Sequence, residues 1–253
     1  TLPGYTPGVF PRTEVFELMG VHRGSARQTN LAIEDVMPML EADFDEVKPI
    51  LVHTHAGNAL HLVDGAVEGF AGLEGLKLRT PSRTGGWMIE AWGAEPVGMP
   101  VPALPQALSK GVVDGALVPF EILEPLKLHE LTRASVEGPG GLRFGTAVFL
   151  FAMNRDRYEA LPEDLRAVID AHSGAGIAAW AGETWDANEA RGKALQEGSE
   201  GGSVVELDAA AYEAMRSAAA DATARWIADM EAQGIDGAGL VEAAKAAMEA
   251  GGD

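Results

Sequence analysis

Between residues 24 and 44 the apolar positions Leu31, Ile33, Val36, Met37, Leu40 and Phe44 recur at a spacing of three to four, which places them on one stripe of a helix. The next apolar stretch, VKPILVH at 47–53, is short and β-branched and predicts a strand. Residues 1–21 carry Pro and Gly without periodicity and read as a loop with a short extended piece. Further on, LKLRT (76–80) predicts a strand, 85–92 a helix closed by Gly93, 95–99 a strand, 102–110 a short helix stopped by Gly111, and VVDGALVP (112–119) a strand. That alternation predicts an α/β fold with a largely parallel sheet. The continuous apolar run TAVFLFAM (146–153) predicts a strand buried on both faces.

Pro162 suits the first position of a helix, and Leu165, Val168, Ile169, His172 and Trp180 follow at helical spacing, with no further Pro as far as Gly198. At 1.5 Å per residue such a helix would run roughly 50 Å, longer than a small domain, so it is expected to bridge two lobes. Gly174, Gly176, Gly182 and Gly192 predict a bend or break within it. Asp208 is a candidate N-cap for a helix with Tyr212, Met215, Ala219, Ala222, Trp226 and Met230 on one stripe and Gly234 past its end, and residues 240–250 form a last helix.

With 253 residues, 47% hydrophobic and 23% charged, the chain can bury a sizeable core as one large domain or two modest lobes, which excludes a disordered chain. No apolar run approaches the roughly 18 residues of a membrane span, which argues against direct membrane insertion. Nineteen Lys and Arg stand against 38 Asp and Glu, a net charge of −19. A surface so acidic repels phosphate backbones and makes nucleic acid a poor partner, while an anionic ligand would need a local cationic site. The absence of Cys excludes disulfides, thiolate nucleophiles and Cys-ligated metals, and fits either the cytosol or the bacterial envelope. No basic region followed by an apolar one opens the sequence, so any secretion signal is expected to have been removed.

Candidate chemistry is sparse. His53, His55 and His61 in HTHAGNALH stand at a predicted strand end, where His-x-His can present two imidazoles to a metal ion, so a metal-dependent hydrolase is the alternative reading. His22, His129 and His172 supply no companion motif. GPGGLRFG (138–145) lacks the Lys-Ser/Thr ending of a phosphate loop and reads as a flexible connection between lobes, and no G-x-S-x-G elbow exists. No cofactor is expected. Arg79 ends the strand LKLRT between apolar residues and a Pro, where desolvating a cation is unfavourable; by itself that fits an ion pair with one of many carboxylates as well as a ligand contact.

The runs GLEGLKLRTP, WGAEPVGMPVPALPQALSKGVVDGA and FLFAMNRDRYEALPEDLRAVID, with PGVFPRTEVFEL at 7–18, resemble the solute-binding proteins of tripartite ATP-independent periplasmic (TRAP) transporters, over nearly the whole sequence and in the same order. The resemblance implies a two-lobed periplasmic binding protein fold with a hinge and a long lobe-bridging helix. Residues 1–54 and 146–184 would form one lobe, 55–145 and 185–207 the other, and 208–253 helices packing on both. It implies a monomeric, non-enzymatic periplasmic protein that captures an organic acid and delivers it to membrane permease subunits, or presents it to a sensor. In that family the Arg of the L-K-x-R strand forms a two-pronged salt bridge with the ligand carboxylate, and Arg79 occupies that place. A planar guanidinium matches a carboxylate bidentately.

Two departures accompany the resemblance. A strand, a long helix and further strands that precede the PGVFP-like segment in that family are absent from this sequence, which is expected to leave a sheet edge unpaired and to remove some ligand contacts from view. Relatives also place an aromatic after the Met-Pro pair and an Asn three residues beyond Asp-Gly, where this sequence has Val101 and Val118. Val101, Leu117, Val118, Pro119 and Phe120 therefore suggest an apolar wall, with Tyr5 and Trp87 as aromatic surfaces, and an aromatic or apolar monocarboxylate rather than a sugar acid. The expected ligand contacts are Arg79, Tyr5, Thr6, His55, Arg83, Trp87, Val101, Val118 and Phe120, with His55 and Arg83 available for a ring hydroxyl or a second acidic group.

Overall fold

The computed structural model describes residues 1–65 and 70–251. In chain order its elements are α1 (Ala26–Leu40), β1 (Val47–Thr54), β2 (Ala59–Leu62), β3 (Lys77–Thr80), α2 (Arg83–Ala91), β4 (Glu95–Gly98), α3 (Leu104–Ser109), β5 (Gly115–Val118), β6 (Ala134–Glu137), β7 (Val148–Asn154), α4 (Arg155–Glu159), α5 (Glu163–Ala171), α6 (Ala175–Gly198), β8 (Ser203–Glu206), α7 (Ala209–Ala218), α8 (Ala220–Ala232) and α9 (Gly237–Ala250). Short 3-10 turns cover Pro3–Tyr5, Thr13–Glu17 and Phe120–Leu123. Helix starts follow local chemistry: Ser25, Ser82, Asp208 and Asp236 each accept a hydrogen bond from a backbone N–H of the first turn of α1, α2, α7 and α9. Among the described residues no helix is long and apolar enough to cross a membrane.

The strands form two sheets. β1 and β7 pair antiparallel, with His53 opposite Phe149 and Val52 opposite Leu150. The other six run in the order β4-β3-β5-β2-β6-β8. β3 lies parallel to β4 and β5, and β6 to β8, but β2 runs antiparallel to both of its neighbours. The sheet is thus mixed rather than largely parallel, because the short strand ALHL, unread in the sequence, inserts at its centre. Nor is β7 buried on both faces: Val148 and Leu150 point into the core while Phe151 is 60% exposed, the alternation expected of a strand with one covered face.

One core joins α1, β1, β7, α8 and α9 through Ile33, Leu40, Val52, Leu150, Trp226 and Met248. Two others lie against the six-stranded sheet, one around Leu60, Leu78, Trp92, Phe144 and Tyr212, the second around Leu104, Val118, Phe120 and Leu128. The helical stripe expected after Asp208 is buried throughout and runs over two helices, α7 and α8, which meet at Ala219: Tyr212, Met215, Ala219 and Ala222 join one core of the six-stranded sheet, Trp226 and Met230 the core of α1 and β1. The long helix breaks where Gly174 adopts φ +79°, between α5 and α6. α5 has no buried residue, so Leu165 and Val168 are exposed, as is Trp180 of α6.

α6 packs along α1 and β1 and reaches the Phe120–Leu123 turn and β8. Two of its glycines permit this close approach. A Cβ at Gly182 would lie 2.3 Å from Arg27 Cα, and one at Gly192 would lie 2.0 Å from the carbonyl oxygen of Phe120.

Candidate ligand-binding site

Arg79 is 2% exposed. Its Nε donates to the Met99 carbonyl at 3.0 Å, Nη1 to the Leu117 carbonyl at 3.2 Å, and Nη2 to the Tyr5 hydroxyl at 3.3 Å. No ion pair to it occurs among the described residues. Of the five N–H donors of a guanidinium these bonds use three, which leaves one on each Nη nitrogen, the pair that meets the two oxygens of a carboxylate. Burial lowers its pKa to about 10, opposed by Tyr5, so it remains a cation at neutral pH. A buried cation without a counter-ion is unfavourable unless an anion completes it.

The guanidinium opens on a cavity of about 400 Å³. Tyr5, Pro81, Val101 and Pro102 form one wall, Val118, Pro119 and Ile122 another, and Ala147, Phe149 and Trp185 a third. The third wall is a ring stack: Phe149 lies 5.1 Å from His53 and 5.6 Å from Trp185 between centroids, all three nearly parallel. It forms because β1 and β7 place His53 opposite Phe149, and α6 brings Trp185 beside both.

A few polar atoms face this apolar space. The Tyr5 hydroxyl accepts from Arg79 and, at 2.8 Å, from the Val101 N–H, so its own proton is free to donate. His55 Nδ1 accepts from the Gly57 N–H at 3.0 Å, which puts the ring proton on Nε2. Burial first, then His22, His53 and the Arg79 and Arg143 charges, hold His55 well below the usual histidine range, so it is a neutral donor. Asn58 also lines the cavity, as does Glu121, whose carboxyl is pushed up to about 7 by burial and by Glu189.

Of the residues expected from the sequence, Tyr5, His55, Arg79, Val101 and Val118 therefore meet around one cavity, and four do not. Thr6 is exposed and its hydroxyl donates to the Pro3 carbonyl at 3.2 Å. Arg83 is held by Glu14 and Asp229, both at 2.7 Å, and sits 5.1 Å over the ring of Trp87, which Arg225 also covers at 4.4 Å. α2 carries Arg83 and Trp87 to a separate groove because Ser82 starts the helix at once after β3. Phe120 is fully buried behind the wall, edge-on to His61 at 5.2 Å and beneath Arg143 and Lys193.

The three histidines do not converge either. His61 Nδ1 meets Ser135 Oγ at 2.7 Å and Nε2 meets the Val118 carbonyl at 3.1 Å; His53 Nδ1 accepts from Trp185. Both rings are kept neutral by burial, with pKa values lowered to about 3 and about 4. The Gly-rich segment is pinned rather than flexible: Arg143 pairs with Glu137 and with Glu189 at 3.1 Å, and Lys193 bonds Glu137 at 2.7 Å, which ties it to β6 and α6.

Asn58, Glu121, Phe149 and Trp185 were not legible as site residues. Phe149 sits in a uniform apolar run, and Trp185 lies off the stripe that Trp180 marks. Asn58 stands three residues past His55 and directly after Gly57, and the strand-end histidines were the one local signal that pointed to this corner.

A family model for bacterial extracellular solute-binding protein, family 7, matches residues 4–229. Among solved structures, a TRAP solute-binding protein of an unidentified marine-metagenome microbe, specific for aromatic acid ligands and crystallised with 3-hydroxybenzoate, is 38% identical over 100% of this chain and 79% of that one, with a TM-score of 0.94. A TRAP solute-binding protein from Rhodoferax ferrireducens with copurified benzoate is 38% identical over 99% and 78%, TM-score 0.93. One from Bordetella bronchiseptica with bound mandelate is 26% identical over 99% and 79%, TM-score 0.87.

Proposed function

The chain belongs to family 7 of the bacterial extracellular solute-binding proteins, and from that premise we propose that it captures a single-ring aromatic carboxylate in the cavity at Arg79 and hands it to the permease of a TRAP transporter. The observation that carries this reading is the buried guanidinium with two unused donors and no counter-ion, opening on a space walled by Phe149, Trp185, Val101 and Val118. The carboxylate would take the two Nη donors, the Tyr5 hydroxyl and His55 Nε2 would donate beside it, and the ring would lie on the Phe149–Trp185 stack.

The apolar walls leave few partners for a polyhydroxylated body, whose unpaired buried hydroxyls each cost about 1–3 kcal/mol. That weighs against a sugar acid, and the ligands of the relatives at 38% identity weigh in the same direction. The protein performs no chemistry in this reading and works in the periplasm. The lobes would divide at 54/55, 145/146 and 184/185, limits supported by the β1–β7 pair on one side and the six-stranded sheet on the other.

Calorimetric titration with benzoate, mandelate, succinate and glucuronate tests the proposal. Benzoate or mandelate should bind with the largest affinity. Tight binding of glucuronate or succinate with none of the aromatic acids would overturn the ligand class and leave the family unaffected.

A further inference from the structure

Glu17 lies behind the cavity and bonds two of the segments that build it. The residue is 4% exposed. Its Oε1 accepts from the Val148 N–H at 3.2 Å, and its Oε2 from the Thr84 hydroxyl at 2.9 Å. Val148 directly precedes Phe149 on β7, and because side chains alternate along a strand, its own side chain enters the core while the Phe149 ring lines the ligand space. Thr84 stands in the first turn of α2, five residues after Arg79. One carboxyl group thus joins the strand that carries the aromatic wall to the corner that carries the cationic anchor. The neighbouring Glu14 bonds Arg83 and Trp226, and so holds α2 and α8 instead.

Each link in this path is stiff. Ser82 Oγ meets Thr84 Oγ1 at 3.0 Å and accepts from the Gly85 N–H at 3.3 Å, and Gly85 has no room for a Cβ against the Thr80 hydroxyl, so the corner from β3 into α2 is closed on itself. Arg79 is fixed to that corner through a strand paired on both sides, with Val97 and with Ala116. The Glu17 carbonyl in turn presses on Gly145, where a Cβ would stand 2.6 Å away, so the backbone that carries the carboxyl is held as well. Stability does not call for an acid here. Glu17 has no ion pair among the described residues, and burial, with the charge of Glu14, raises its pKa to about 7. A buried carboxyl without a cation is costly, and departures of that kind collect where function needs them.

We infer that Glu17 is a positioning residue that sets the distance between the Arg79 guanidinium and the Phe149 ring, and with it the acid lengths that the cavity favours. The inference rests on the aromatic-carboxylate reading above and deepens it. A carboxylate held by the two Nη donors fixes one end of the ligand, and the ring meets the Phe149–Trp185 stack when the spacer between them matches that distance. Benzoate, phenylacetate and 3-phenylpropanoate differ by one methylene each between carboxylate and ring, so each asks for a different separation. With the Glu17 bonds in place the two segments are held in advance of binding and the fitting lengths are favoured. Without them the segments shift to suit each acid, and the three are accepted more evenly.

The test is calorimetric titration of the purified protein and its variants with those three acids. The wild type should separate the best from the worst of them by about tenfold or more. Thr84→Val, which removes only the hydroxyl, should narrow that spread by about threefold or more, the scale of one hydrogen bond. Glu17→Leu should narrow it at least as far, and the double variant no further than Glu17→Leu, because both break the same bridge. Glu17→Gln should rescue the wild-type spread: its Oε1 accepts from the Val148 N–H, its Nε2 donates to Thr84 Oγ1, and the Thr84 proton turns to Ser82. The inference is overturned if the wild type does not discriminate by length, if the spread is unchanged in Thr84→Val, if the two effects add, or if the glutamine variant behaves as the leucine. Weakening of all three acids by one common factor also overturns it, since that marks a general loss of packing. Melting curves without ligand show which variants are folded, and if Glu17→Leu is not, Thr84→Val and Glu17→Gln decide alone. Binding of these acids without the expected effects sinks this inference alone, whereas failure of all three to bind removes it together with the proposed function.

Discussion

Trp185 donates from Nε1 to Nδ1 of His53 at 3.0 Å, from α6 across to β1. That bond holds the indole parallel to Phe149 and makes the aromatic wall a joint product of three chain segments, 53, 149 and 185. It also fixes the role of His53, whose Nδ1 orients a tryptophan.

If this wall holds a ring, Trp185→Leu should weaken benzoate binding by about 0.5–1.5 kcal/mol, the increment of an aromatic pair beyond its buried area. Trp185→Phe should lose less, since it keeps a stacking surface and gives up only the bond to His53. Titration of both variants checks the order. Equal affinities for leucine and phenylalanine would place the ligand elsewhere in the cavity.

Arg79 should be required for binding yet dispensable for folding. Removing a buried cation that no carboxylate balances relieves its desolvation cost. Arg79→Met is therefore expected to melt no lower than the parent without ligand and to show no benzoate binding. Arg79→Lys keeps the charge but loses the fork, and should bind at least tenfold more weakly, about 1.4 kcal/mol. Undiminished benzoate affinity in the methionine variant would remove Arg79 from the site.

The strands and helices that the chain's periodicity marked are largely present, because an amphipathic stripe or an apolar β-branched run is local information. What periodicity missed was short or convergent. β2, with four residues, is too short to show a period, and it is the strand that turns a parallel sheet into a mixed one. Arg79 was singled out through its motif and lines the cavity, whereas its neighbour Arg83 is drawn away from it by Glu14 and Asp229, partners 69 and 146 residues away that no local pattern announces. Trp185 stands five residues beyond Trp180, about 140° around the helix, so the exposed tryptophan drew attention from the one in the wall.

The glycines of α6 divide into two kinds that mutation should separate. At Gly192 a Cβ would meet the Phe120 carbonyl oxygen at 2.0 Å, so Gly192→Ala must push α6 off the turn that carries Glu121 and Ile122. A loss of about 1–3 kcal/mol, typical of overpacking, is expected, together with weaker ligand binding. Gly176 has open space around its Cβ position, and Gly176→Ala should stabilise by up to about 1 kcal/mol. Urea denaturation of both variants reads the difference; alanine being tolerated equally at the two positions would contradict the close approach.

Ligand affinity should depend on pH through Glu121. Burial and the Glu189 charge raise its pKa from 4.5 to about 7, whereas His55 is neutral and Arg79 charged throughout the neutral range. Below pH 4.5 the carboxyl is protonated whether the chain is folded or not. Between 4.5 and about 7 the unfolded chain releases the proton and the folded one keeps it, so folding stability falls as pH rises through this window. Glu17, raised to about 7 by burial and Glu14, acts in the same direction, so Glu121→Gln should reduce the fall in melting temperature without abolishing it. Above pH 7 an ionised Glu121 shares the cavity with the bound carboxylate, and the like charges repel. Benzoate, itself ionised throughout, should therefore bind more weakly at pH 8 than at pH 6, and Glu121→Gln should flatten that dependence. Calorimetry at pH 6, 7 and 8 decides it: a wild-type affinity constant across the range, or a slope unchanged in the glutamine variant, would show that Glu121 does not face the bound anion.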